Sequence, residues 1–212
     1  MRLGFDIDGI VCDMATAMID HINNKFGLNY DINVFHNHEL SNNKYVEDEA
    51  LNKEIVTAMK KEIIRNDEAL LELKPYDDSV RHLHILRKNG HEIFFVTSRS
   101  KDNEKATIEW LRKNKVPFDG VHVVGRAGIV GQLGKGPYGR SLHLDFFIDD
   151  DMPNLEDMYR YKNRWYKGLA LFTRPWNEWM ALDSDKFIRI NDWPSIIRHI
   201  GVANRATRMH TL

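Results

Sequence analysis

Cysteine is nearly absent from this chain of 212 residues, in which Cys12 stands alone. An intrachain disulfide framework and a cysteine-only zinc site are therefore excluded, and the usage fits a reducing compartment. Charge of one sign is lacking as well. Thirty Lys and Arg stand against 31 Asp and Glu, a formal net charge of −1, so the overall electrostatic footprint of a general nucleic-acid binder is missing. Long hydrophobic runs are also missing. The most apolar stretches, 93–96 and 169–172, fall far short of the roughly 20 residues that cross a bilayer, and Asp6 and Asp8 break any signal-peptide core. A cytoplasmic protein without membrane contact is expected. What remains is an ordinary globular balance, 42% hydrophobic and 29% charged. It is long enough to bury about 70% of its unfolded surface, as one domain or one domain carrying an insert.

Apolar periodicity alternates along the chain. Leu3 to Ile7 reads as a short strand ending in Asp8-Gly9. Met14, Met18, Ile22 and Phe26 recur every fourth residue before Gly27, which marks a helix and its stop. Leu51, Ile55, Met59 and Ile63 repeat that spacing after an irregular polar stretch over 29–43. Beyond Pro75 helices are expected around Val80–Leu86 and Ile108–Leu111, and over Asn154–Tyr161 and Pro194–Ile200. Strands are expected at Glu92–Thr97, Val121–Val124, Leu144–Ile148 and Leu169–Phe172. The tail from Gly201 is expected to fray. Apolar strands alternating with amphipathic helices predict an α/β fold, a parallel sheet covered on both faces. The residues between Asp13 and Pro75 break that alternation and read as a helical insert over the sheet edge.

Ligands of such sheets bind at the carboxyl ends of the strands, and three of those ends are polar here. Asp6 and Asp8 flank Ile7, so in an extended chain both carboxylates face one way, while Gly9 permits a tight turn. Taken alone, the pattern is equally a turn with solvated acids. A calcium loop fails, because its register would put Gly4 and Ala15 at ligand positions. Asp149 and Asp150 follow the apolar Phe146-Phe147-Ile148, and crowded carboxylates there would repel one another unless a divalent cation intervened. All-oxygen ligands favour Mg²⁺. Asp151 is explained by a helix start. Thr97 and Ser98 can donate to a phosphoryl oxygen, whereas Arg99 reads at least as well as an exposed structural arginine. Residues 125–139 hold six of the 13 glycines. Although Gly134 to Gly139 formally match GxGxxG, no strand leads directly into them, and Gly136 after Lys135 spoils a Walker A pattern. The segment reads as a mobile loop offering one cation, Lys135 or Arg140.

Together these residues resemble the haloacid dehalogenase superfamily of phosphotransferases: Asp6-Ile7-Asp8-Gly9, Thr97 after an apolar strand, a lysine near 135, and Asp149-Asp150, spread over residues 1–173. Within it the chain is similar to the 5′(3′)-deoxyribonucleotidase-like branch. That narrower likeness rests on Arg2-Leu3-Gly4-Phe5-Asp6-Ile7-Asp8-Gly9 with Asp13 following, and on Leu171-Phe172-Thr173-Arg174-Pro175-Trp176-Asn177. The resemblance implies a Rossmann-like core, 1–13 and 75–212, with a small helical cap, 14–74, inserted after the first strand. It implies a Mg²⁺-dependent phosphomonoester hydrolase acting on a small-molecule phosphate ester, foremost a (deoxy)nucleoside monophosphate. Asp6 would be nucleophile and metal ligand, and Asp8 the acid and base, with its backbone carbonyl on the metal. Thr97, Ser98 and Lys135 would hold the phosphoryl oxygens; Asp149 would meet the metal directly and Asp150 from behind it or through water. Lys135 is preferred over Arg140 because lysine is usual in that role.

The cap should exclude water and read the leaving group, with Phe26, Tyr30, Phe35 and Tyr45 as stacking candidates and Phe26 better suited to the cap core. Trp176 and Trp179 read best as packing. His36, His38 and Glu39 invite a zinc reading but lack a fourth ligand nearby. Three rivals stand beside the nucleotidase reading: a phosphatase for another metabolite such as a sugar phosphate, a non-catalytic module of the same fold, and a nucleic-acid end-processing phosphatase, the last disfavoured by the neutral charge. Homo-oligomer formation is left open.

Overall fold

A computed structural model describes residues 1–125, 133–162 and 166–209. Six parallel strands form one sheet in the order β3-β2-β1-β4-β5-β6. They are β1 (Arg2–Phe5), β2 (Glu92–Thr97), β3 (Gly120–Val123), β4 (Phe146–Asp149), β5 (Gly168–Phe172) and β6 (Ile188–Ile190). Successive residues of the central strands alternate between two apolar clusters, one for each sheet face. Phe5, Ile93, Phe95, Phe146 and Ile148 belong to the first, and Phe94, Val96, Phe147, Leu169 and Leu171 to the second. Both faces are thus covered, which is why these strands are apolar throughout rather than alternating.

Between β1 and β2 the chain is helical. Helix α1 (Met14–Phe26) is capped by the Asp13 carboxylate, which accepts from Thr16 N, and stops at Gly27 in the left-handed region, φ 66°. The later four-residue repeat gives α2 (Glu49–Ala58), which runs on as a π-helical turn over Met59–Ile64. A six-residue helix, α3 (Asp67–Glu72), follows. The polar stretch 29–43 is built from two short 3₁₀ turns and Asx bonds such as Asn43 Oδ1 with His36 N. The two crossings of this insert pair with each other. Asp13 N donates to Lys74 O at 2.9 Å, and Tyr76 N to Val11 O at 2.9 Å.

The remaining helices are α4 (Ser79–Lys88), α5 (Glu104–Lys113), α6 (Gly136–Ser141), α7 (Met152–Tyr161) and α8 (Trp193–Met209). Three expectations need correction. Residues 136–141 of the glycine-rich segment form α6, which Pro137 can enter because its missing N–H is not needed in a first turn; the rest of the loop reading, 126–132, lies outside the described residues. Gly201 does not end the last helix, whose backbone runs on to Met209. Strand β6 and helix α3 were not expected at all. Among the described residues no helix is long and apolar enough to cross a membrane.

Candidate active site

The order of strands puts a topological switch between β1 and β4, the place where open α/β sheets bind ligands. Phe5 pairs with Phe95 on β2 and with Ile148 on β4. Asp6, one residue further, is tied to β4 by its N–H, which donates to Ile148 O at 2.9 Å. The nucleophile candidate is therefore brought up against Asp149 and Asp150, and one oxygen from each of the three carboxylates lies within 4.8 Å of the others. Gly9 makes this approach possible. Its φ is 74°, and a Cβ there would stand 2.1 Å from Asp150 Oδ2.

Lys135 lies beneath the acids, fully buried, with Nζ 2.7 Å from Asp149 Oδ2 and 3.0 Å from Asp6 Oδ1. It is held there by the start of α6, where Gly136 N donates to Asp157 Oδ2 at 2.7 Å. Arg140 is exposed on the same helix, so the cation beside the acids is Lys135. Both Asp149 oxygens are engaged, Oδ2 by Lys135 and Oδ1 by Asp151 N at 2.9 Å and Asn154 Nδ2 at 3.3 Å. Asp150 differs. Its Oδ2 accepts from Trp176 Nε1 at 3.0 Å, while the buried Oδ1 has no hydrogen-bond partner among the described residues. Asp150 thus keeps a buried carboxylate oxygen without a hydrogen bond among the described residues, whereas each oxygen of Asp149 accepts at least one.

Three carboxylates share this buried cluster with one ammonium. Burial pushes the Asp6 carboxyl up to about 7 against the pull of Lys135, and the charges of Asp149 and Asp8 add to the rise. Burial raises Asp150 well above the carboxylate range too, helped by Asp149, Asp6 and Asp151. Burial alone would lower Lys135, but the two carboxylates beside it more than offset that and hold it above the usual lysine range. An all-oxygen donor set with an unpartnered oxygen and surplus negative charge fits a hard divalent cation. Among the described residues it is also the one group of His, Cys, Asp and Glu close enough to hold a metal. His36, His38 and Glu39 form no such group, and His36 is exposed.

Thr97 is buried at the end of β2, its Oγ1 accepting from Arg99 N at 3.3 Å, and the buried Ser98 Oγ has no partner among the described residues. Arg99 is not exposed, contrary to expectation. Its side chain is 1% accessible and forks onto Asp8, with Nε 2.8 Å from Oδ2 and Nη2 2.6 Å from Oδ1. Asp6, Asp8, Thr97, Ser98 and Asp150 all open into one cavity of about 780 Å³, whose far wall comes from the insert through Met14, Met18, Phe35, His38 and Ile64.

Of the four aromatic candidates, Phe35 alone lines this cavity. Tyr30 instead donates its hydroxyl to Tyr45 O, inside the insert. Trp176 does more than pack. It lines the cavity, bonds Asp150 and meets Phe35 edge-on, ring centroids 6.3 Å apart. Trp179 is 64% exposed and donates to His36 O at 3.2 Å. Two residues escaped the sequence reading as parts of this site. Arg174 Nε donates to Gly9 O at 2.6 Å, and Asn177 Nδ2 bridges Asp150 O at 2.8 Å and Phe172 O at 2.9 Å. Both sit in the Thr173–Asn177 run already singled out, but neither could be assigned a partner from spacing alone.

Residues 1–207 match the family described as "5' nucleotidase, deoxy (Pyrimidine), cytosolic type C protein". The chain belongs to this family. Among its relatives, a Bacillus subtilis (strain 168) protein named "Putative nucleotidase YqfW" is 26% identical over 194 residues, covering 91% of this chain and 90% of the relative. "Putative nucleotidase OB0422" of Oceanobacillus iheyensis is 24% identical over 211 residues, covering 94% and 98%. A haloacid dehalogenase family hydrolase from Deinococcus radiodurans R1, solved with bound phosphate and sodium, shares the fold at a TM-score of 0.63 and 9% identity over 96% of each chain. The chain is accordingly an enzyme of the nucleotidase family, a phosphatase, and its Rossmann-like sheet shares the fold of that haloacid dehalogenase family hydrolase.

Proposed function

We propose that the protein hydrolyses nucleoside monophosphates through an aspartyl-phosphate on Asp6, with Mg²⁺ as its cation. The observation that carries this reading is the buried trio of Asp6, Asp149 and Asp150, neutralised only in part by Lys135, with a buried Asp150 oxygen that has no hydrogen-bond partner among the described residues.

Asp6 would attack phosphorus, forming a bond from its carboxylate oxygen as the ester bond breaks. Asp8 would give a proton to the departing oxygen and later take one from the water that hydrolyses the intermediate. Acid–base help of this kind is worth roughly 10²–10⁴-fold. Ser98 Oγ and the Thr97 exit would donate to the equatorial phosphoryl oxygens, and Lys135 would hold the charge of Asp6 and Asp149 in place. Asp6 and Asp150, with Asp149 supporting, would hold Mg²⁺, which when bound supplies charge neutralisation and polarises a phosphoryl oxygen.

Residues 14–74 would form the cap that reads the leaving group, since Phe35, His38 and Ile64 face the acids across the cleft. Apolar Met14, Met18 and Phe35 suit a base better than a sugar's hydroxyls, which favours a nucleotide over a sugar phosphate. The single buried thiol of Cys12 is the ground for placing the protein in the cytoplasm.

The test is phosphate release from nucleoside 5′- and 3′-monophosphates, deoxynucleotides and sugar phosphates, with Mg²⁺ and with EDTA. Metal-dependent release led by nucleotides is expected. Release led by a sugar phosphate would move the substrate, and metal-independent release would overturn the cation's role.

A further inference from the structure

Arg99 and Lys135 are the two buried cations among the described residues, and both touch a carboxylate assigned to the chemistry. Lys135 is shared between two acids, whereas Arg99 is committed to Asp8. A desolvated guanidinium is costly unless its donors are used, and these are used in one plane. Nε and Nη2 fork onto the two Asp8 oxygens, and Nη1 donates to Thr107 Oγ1 on α5 at 3.3 Å. The guanidinium carbon lies 5.8 Å from the centre of the Trp110 ring. Trp110 is itself fixed, because its Nε1 donates to Leu73 O at 2.8 Å, on the returning crossing of the insert. The plane of the Asp8 carboxylate is therefore set from α5 and the insert's return as well as by the short turn that carries Asp8, where the Cys12 side chain lies beside both Asp8 and Arg99. Each Asp8 oxygen keeps a second lone-pair direction, and the side chain stays 26% exposed on the cleft side.

We propose that Arg99 is a positioning residue whose fork aims the Asp8 carboxylate at the ester oxygen. The proposal rests on the proton-transfer role proposed for Asp8. In the first step the Asp6 oxygen bonds to phosphorus, the ester P–O bond breaks, and the Asp8 proton passes to the departing oxygen, which leaves as an alcohol. In the second step water bonds to phosphorus, the bond to Asp6 breaks, and the water proton goes to Asp8. An ammonium cannot replace the fork, since it offers a point charge without a fixed plane.

The experiment compares kcat/KM for a nucleoside 5′-monophosphate, whose alkoxide leaving group needs the proton, with that for p-nitrophenyl phosphate, whose phenolate does not. Arg99→Lys should lower the first by about 10²-fold and the second by at least about tenfold less, following the size of acid–base effects. Thr107→Val, which releases one guanidinium donor and leaves the fork, should shift the ratio of the two esters in the same direction by a smaller factor. It serves if the lysine variant fails to fold. In an Asp8→Asn background Arg99→Lys should cost little more on the nucleotide. Equal losses on both esters, or full additivity with Asp8→Asn, would make Arg99 merely structural and overturn the proposal. A wild-type enzyme indifferent to Asp8→Asn would instead overturn the assignment of Asp8, and Arg99's role with it.

Discussion

Replacing Asp6 by asparagine should stabilise the metal-free protein while abolishing turnover. The folded carboxyl holds its proton up to about 7, against 3.8 for the free side chain. Its folded pKa is raised, so stability is greatest at low pH and falls as pH rises from about 4 to about 7, beyond which it is flat. A difference of roughly three units at about 1.4 kcal/mol each sets a ceiling of about 4 kcal/mol for the cost of the charged form. Asparagine removes that cost and still presents an oxygen to Lys135, which keeps Asp149 at 2.7 Å. In urea unfolding with EDTA, the Asn variant should exceed wild type near pH 8 by a few kcal/mol, with the gap shrinking by more than half near pH 5. Mg²⁺ at a hundred times its dissociation constant should add about 2.7 kcal/mol to wild type alone and close most of the gap. A wild type at least as stable as the variant near pH 8 in EDTA would refute the reasoning.

Trp176→Phe keeps the aromatic wall but removes the donor to Asp150; half-activation should need about tenfold more Mg²⁺, as for other residues that orient metal ligands, and an unchanged magnesium titration would count against it. Gly9→Ala forces a Cβ to within 2.1 Å of Asp150 Oδ2 at a φ of 74°. It should lose about 1–3 kcal/mol in urea unfolding together with most activity, and wild-type turnover in that variant would contradict the packing described.

What the sequence made legible follows from what each residue can announce on its own. Strands such as Glu92–Thr97 are apolar on both faces, and α1 carries its own cap and stop at Asp13 and Gly27, so local chemistry sufficed. Strand β6 is three residues with Arg189 at its centre and α3 has six, too few to show a period. The tail from Gly201 is polar and was expected to fray, but a glycine ends a helix only where the chain takes a left-handed turn, and Gly201 is not among the residues with positive φ. In the site, the acids at 6, 8, 149 and 150 could be found because charge directly after a buried strand is conspicuous. Arg99 could not, because its partner lies 91 positions away and an arginine after Thr-Ser reads the same exposed or buried. Which acid keeps a free oxygen depended on Asn154, Trp176 and Lys135 arriving from three separate segments.

The central place of β1 has a consequence for how the chain is made. Leu3 pairs with Phe146 of β4, which a ribosome adding about 5–20 residues per second delivers roughly 7–30 s later. Until then one edge of the strand that presents Asp6 is open, and the pairing that closes it spans most of the sequence, the slow kind of contact in a folding chain. Helices α1 to α6 and strands β2 and β3 emerge in the interval. The acid most exposed to error in assembly is thus the first one synthesised, and the phosphatase becomes competent only when β4 slides in beside it.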